Sequence, residues 1–196
     1  MGEATEKKKL DKQTAICDAG YTLFLQKGFH KTSIDDIVKQ AGIAKGTFYL
    51  YYKDKSDLLH HLVYKISSEL LYRGYENVKA KGNDDVVQAI IDIIEYIIDY
   101  FEGHKPVLAL LERNFNWPIF HEELTGETSS GMHPILDECM RTPQFADYTR
   151  DELTKLLFVI MELAGSLCYS SIILGEPDTM ENMKPLLYRM VRKLLQ

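Results

Sequence analysis

Apolar residues recur at spacings of three and four along almost the whole chain, and period-two runs of β-branched residues bounded by turn signals are missing. The pattern predicts an all-α protein. Single glycines and prolines divide it into about nine helices, with no internal repeat or low-complexity stretch. A first helix is expected over about Leu10–Lys27, with Ile16, Ala19, Leu23 and Phe24 on one face and Gly28 as a left-handed stop. Thr32 or Ser33 caps a short second helix. Its stripe is Ile34, Ile37, Val38 and Ala41, Asp35 or Asp36 completes a capping box, and Gly42 ends it. A third, very short helix is expected over about Ala44–Tyr52, with Phe48 and Tyr52 four apart on an inward face.

Asp54 caps a longer helix running from Lys55 towards Lys79, where the polar stretch to Asn83 reads as a loop. The boundary between an N-terminal head, residues 8–63, and a C-terminal body, residues 64–196, is expected inside this helix. Val87, Ile90, Ile91, Ile94, Ile97, Ile98 and Phe101 then form an amphipathic helix ended by Gly103. Pro106 suits the first turn of its successor, which Pro118 closes. Residues 120–131 read as a mobile connection before a helix near His133–Met140. Two strong helices finish the chain. Arg150–Leu174 is apolar nearly all round, whereas Thr179–Leu195 gathers Met183, Leu186, Leu187, Met190, Val191 and Leu194 on one face.

Composition adds a division of charge. The net charge of -6 over 196 residues conceals ten lysines against eight carboxylates in residues 1–60, so the basic balance sits at the front. Cys17, Cys139 and Cys168 show no metal-ligand or disulfide spacing and read as buried thiols of a reducing cytosol. The lysine-rich N-terminus lacks the apolar stretch of an export signal, so a cytoplasmic location is expected. Leu156–Gly175 is about as long as a membrane span, but Glu162 and Ser166, Tyr169, Ser170 and Ser171 argue for a buried bundle helix and no membrane. His60, His61, His104, His121 and His133 have no metal-site spacing, and no nucleophile elbow, P-loop or dinucleotide fingerprint occurs. Neither a metal, nor a cofactor, nor an enzymatic activity is expected.

Two short helices around a glycine turn form the helix-turn-helix pattern, whose second helix enters the major groove of double-stranded DNA. Lys45, Gly46, Thr47, Tyr49, Leu50, Tyr51, Lys53 and Lys55 are then the groove-facing set. The lysines neutralise phosphates, Gly46 lets the backbone come close, Tyr49 and Tyr51 bond phosphate, and Thr47 reaches a base edge or thymine methyl. Thr32 or Ser33, at a helix N-terminus, is placed for another phosphate.

The stretch Gly28–Leu59, GFHKTSIDDIVKQAGIAKGTFYLYYKDKSDLL, resembles the TetR/AcrR family of bacterial regulators. The likeness rests on Gly28-Phe29, Thr32-Ser33, Asp36-Ile37, Ala41-Gly42-Ile43, Lys45-Gly46-Thr47, Tyr49, Tyr52, Lys53 or Lys55, and Leu58-Leu59, within about Leu10–Tyr64. Ala44 departs from the family's capping serine, and Leu50-Tyr51 from its common pair. The resemblance implies a homodimer built through the last two helices of each subunit, a near-palindromic operator, and a pocket for a small-molecule effector whose binding relieves repression. Tyr96, Phe101, Phe115, Trp117, Met161, Glu162 and Tyr169 combine aromatic area with a few polar groups, as pocket walls do. The alternative is a DNA-bound protein whose body recruits another protein.

Overall fold

The computed structural model describes the chain apart from residues 1, 83–84, 113, 116–117, 119–120 and 122–132, and leaves out the side chains of 2–6, 8, 81, 112 and 133–134. Among the described residues there are nine α-helices and no strand: α1 (Gly2–Lys27), α2 (Ile34–Ala41), α3 (Lys45–Phe48), α4 (Lys55–Lys81), α5 (Val86–Gly103), α6 (Lys105–Glu112), α7 (His133–Arg141), α8 (Arg150–Cys168) and α9 (Met180–Leu194). The expected connection over 120–131, apart from His121, and Trp117 fall outside them. The chain forms two compact units, Met1–Lys65 and Ile66–Gln196, and α4 contributes residues to each.

In the head, α1 packs along α2. Ile16, Ile37, Phe48 and Leu58 are fully buried at their junction, each such side chain contributing about 1.5–3 kcal/mol. Gly20 permits the close approach, because a Cβ there would lie 2.7 Å from Leu58 Cδ2. The first helix begins at Gly2, eight residues before the expected start. Its opening turns are rich in Ala, Glu, Lys and Gln, good helix formers that carry no apolar stripe for a periodic reading to detect. Ile16 is the first buried residue described. Conversely α3 is shorter than expected. After Phe48, Leu50 N bonds Thr47 O and Tyr51 N bonds Phe48 O, so the chain tightens into turns closed three residues back.

The body is organised on α5, where Ala89, Ile90, Ile91, Ile93, Ile94, Ile97, Ile98 and Phe101 are buried and which packs against α6, α7, α8 and α9. Asp85 caps it by accepting from Val87 N and Gln88 N. Lys184 of α9 bonds Asp99 at 2.9 Å, and Arg192 bonds Gln88 at 2.8 Å, pinning α9 to α5. Thr149 and Glu152 form the capping box of α8. The expected single helix over 150–174 widens into a π turn at Tyr169–Leu174. The extra residue in that turn rotates the downstream side chains about the axis, and Ser171 is its buried member.

By length and composition Arg150–Leu174 could cross a membrane. Here Leu153, Leu157, Ile160, Ala164 and Cys168 of that segment pack into the body, as expected of a bundle helix.

Candidate functional site

Ser33 is the N-cap of α2. Its Oγ accepts from Asp36 N at 3.1 Å, and the Asp36 carboxylate accepts from Ser33 N at 3.0 Å. Those bonds, backbone first, hold the Asp36 carboxyl below its ordinary value. Thr32 has a different role. It is buried, and its hydroxyl donates to Gly28 O at 2.9 Å, tying off the end of α1. Of the two expected phosphate contacts, Ser33 is exposed and Thr32 is buried.

The two lysines beyond α3 also separate. Lys53 is exposed, its backbone N–H capped by Asp57 at 2.8 Å. Lys55 is half-buried: its Nζ donates to Phe29 O and Thr32 O, both at 2.7 Å, and lies 4.3 Å from the centre of the Phe29 ring. Its ammonium fastens the α1–α2 turn to the start of α4. Lys45 pairs with Asp35 at 2.8 Å on the surface, and the bond to that carboxylate raises its proton affinity.

The segment that remains outward is Lys45, Gly46, Tyr49, Leu50 and Lys53, with Thr47 and Tyr51 half-exposed. Leu50 is 79% exposed and Tyr49 51%. Gly46 is not demanded by the fold, because a Cβ there would meet nothing within 4 Å. Phe48 and Tyr52 face inward, as the four-residue spacing predicts.

Tyr52 also anchors a cluster not anticipated from sequence. Its hydroxyl shares a 3.1 Å hydrogen bond with the Cys17 thiol and accepts from Gln13 Nε2 at 3.4 Å, while its ring packs on His61 with centroids 5.5 Å apart. Burial and the Cys17 bond push the phenol up, and burial together with the nearby Lys65 charge pushes the His61 imidazole down. The end of the recognition segment is thereby held to α1 and α4, in part by groups 35 and 39 positions away in the chain, which no local pattern signals.

The body contains a cavity of about 180 Å³ walled by α4, α5, α6 and α8. Of the expected pocket residues, Phe101, Phe115, Met161 and Glu162 line it. Tyr96 and Tyr169 are not in its wall; Tyr96 packs instead beside Gly74, where a Cβ would lie 3.4 Å from its ring. Ser67, Leu70 and Leu71 of α4 also line it, without a sequence pattern that sets them apart. Among the described residues no cluster of His, Cys, Asp or Glu is arranged to hold a metal ion.

The sequence model described as bacterial regulatory proteins, tetR family, matches residues 16–62, which spans the head from Ile16 to Leu62. The fatty acid metabolism regulator protein of Bacillus subtilis (strain 168) is 37% identical over 76 residues, 39% of each chain. The regulator AcrR of Shigella flexneri is 26% identical over 155 residues, 79% of this chain and 67% of that one. The chain thus spans about two fifths to two thirds of the length of these curated relatives. Across 94% of this chain and 95% of the other, the fold matches that of the Thermus thermophilus repressor FadR, solved in complex with lauroyl-CoA, with a TM-score of 0.62 at 17% identity. The head thus matches the tetR family of bacterial regulatory proteins over residues 16–62, and the chain shares its fold with the Thermus repressor.

Proposed function

We propose that the protein is a homodimeric repressor that places the Lys45–Lys53 segments of two subunits in successive major grooves of a near-palindromic operator, and that a small molecule in the body cavity releases it. The exposed segment after Ala44 carries this reading: Tyr49, Leu50 and an unconstrained Gly46 stand outward beside Lys45 and Lys53, while Phe48 and Tyr52 of the same segment are packed inward. Lys45 and Lys53 supply phosphate charge and Thr47 a reach to base edges. Val159 of α8 and Leu186 and Met190 of α9 are 53%, 40% and 43% exposed, and a second copy of the last two helices is the partner that would cover them. A cytoplasmic location goes with such a role.

The effector half of the reading is supported by the mainly hydrocarbon cavity. The cavity wall includes α4, the same helix that supplies Lys55 and Leu58 to the head. A ligand that shifts α4 would change DNA affinity through a coupling of about 1–3 kcal/mol. Selection of purified protein against random duplexes tests the DNA-binding half. A recovered inverted repeat, bound with an affinity that falls steeply with salt, is the expected result; indifference to every duplex at low salt overturns it.

A further inference from the structure

Two threonine hydroxyls within the helices bond a carbonyl one turn back: Thr22 donates to Asp18 O at 2.8 Å and Thr154 to Arg150 O at 2.8 Å. Ser67, in the middle of α4, does not. It is 4% exposed, its Oγ has no hydrogen-bond partner in the protein, and it lines the body cavity. A hydroxyl buried without a partner is unfavourable, and such groups are ordinarily satisfied by whatever occupies the adjoining space. Ser171 and Tyr188 also carry unpartnered buried hydroxyls, but neither is in the cavity wall.

The rest of the wall restricts what that occupant can be. Leu70, Ile98, Phe101 and Phe115 present hydrocarbon. Among the described lining residues there is no Lys, Arg or His, and the one carboxylate is Glu162, which is exposed and so lies at the mouth. An anionic ligand would bury its charge against hydrocarbon with no cation among the described lining residues to pair it. The volume, about 180 Å³, is a little above the roughly 150 Å³ apolar cavity that accommodates benzene.

The geometry points to Ser67 as the polar anchor of the effector site, and to an effector that is uncharged, ring-sized and mostly hydrocarbon, with one hydroxyl or carbonyl bonded to Ser67 Oγ. This rests on the cavity being the effector site. The ligand's buried directional bond is then made to α4, while α5 and α6 supply contacts without directional preference and the polar lining groups of α8, Glu162 and Ser166, are exposed.

Titration calorimetry with p-cresol, toluene and 4-methylbenzoate, on the full chain and on Ser67→Ala, tests the assignment. Unsubstituted protein is expected to bind p-cresol about fivefold tighter than toluene, the value of one net hydrogen bond, and 4-methylbenzoate more weakly than either. In Ser67→Ala the preference for p-cresol disappears while toluene binds as before, which also shows that the cavity persists. Equal affinity for p-cresol and toluene in the unsubstituted chain, an unchanged preference in Ser67→Ala, tighter binding of 4-methylbenzoate, or no binding of p-cresol overturns the anchor. DNA affinity is read separately by anisotropy. Ser67-dependent binding of p-cresol with no change in DNA affinity overturns the effector reading and leaves the anchor, whereas release of DNA by a compound indifferent to Ser67→Ala overturns the anchor alone.

Discussion

Lys55 holds Phe29 twice, by a 2.7 Å hydrogen bond from its ammonium to the Phe29 carbonyl and by a cation–ring contact of 4.3 Å to the same residue's side chain. A cation engaged in this way, with Thr32 O as a further acceptor, is part of the head's framework. Lys55→Ala is expected to lower the unfolding free energy by about 1–3 kcal/mol, the range for losing charged hydrogen bonds and leaving carbonyls without them. Lys53→Ala, two positions away, is expected to leave melting unchanged and to reduce the slope of log affinity against log salt by about 0.9, one phosphate contact. Thermal melts and salt titrations on the two variants check the division. A reversed pattern would mean that Lys55 leaves its carbonyls to meet DNA.

Gly46 gives a sharper separation of stability from binding. Since a Cβ meets nothing within 4 Å, Gly46→Ala is expected to be neutral or up to about 1 kcal/mol more stable. DNA affinity is expected to fall at least about tenfold, because the methyl group occupies the space where backbone approaches phosphate. Unchanged affinity in a gel-shift titration would remove the close-approach argument.

His61 makes the head sensitive to acid. Its folded-state pKa lies below the ordinary 6.5, burial being the larger cause and Lys65 the next. The unfolded chain thus binds the proton more readily, and stability rises with pH across the interval between the two values. Stability is complete above about 6.5 and declines as pH falls below it towards the folded-state value. Replacing the ring by a non-titrating one, His61→Phe, is expected to flatten the denaturant midpoint between about pH 7 and pH 5. Parallel profiles for both proteins would assign the acid sensitivity elsewhere.

The exposed apolar groups on the last helix provide a test of assembly. Leu186→Glu with Met190→Lys adds charge at positions 40% and 43% exposed in the single chain, so the folded subunit is expected to survive with unchanged helical content. Sedimentation is expected to show a monomer, and operator affinity to fall on the order of a hundredfold as the two heads lose their linkage. A dimer that persists through this change is joined by some other face.

How far these residues are legible in the chain depends on the range of the physics involved. The isoleucine repeat of α5, the capping box at Ser33 and Asp36, and the inward pair Phe48 and Tyr52 rest on neighbours three or four positions apart. Such relations exist in the sequence before any folding, and the helix-turn-helix head is readable from them. The basic, glycine-containing segment after Ala44 is likewise visible, because polar residues with no packing role stand out against a periodic background.

Tertiary structure decided the rest. Lys53 and Lys55 are the same residue type two positions apart, and only the return of α1 beneath α4 places Phe29 and Thr32 under one of them. Thr32 and Ser33 are equally good caps in sequence, and the depth of the α1–α2 junction chose between them. In the body, the amino-acid types identified Phe101, Phe115, Met161 and Glu162 as wall material, yet Ser67 and Leu70 came from a helix with no distinguishing pattern. Periodicity determines which face of a helix turns inward; where that face meets tight packing and where it meets a cavity depends on how helices distant in sequence cross, and that is settled only when the whole core closes.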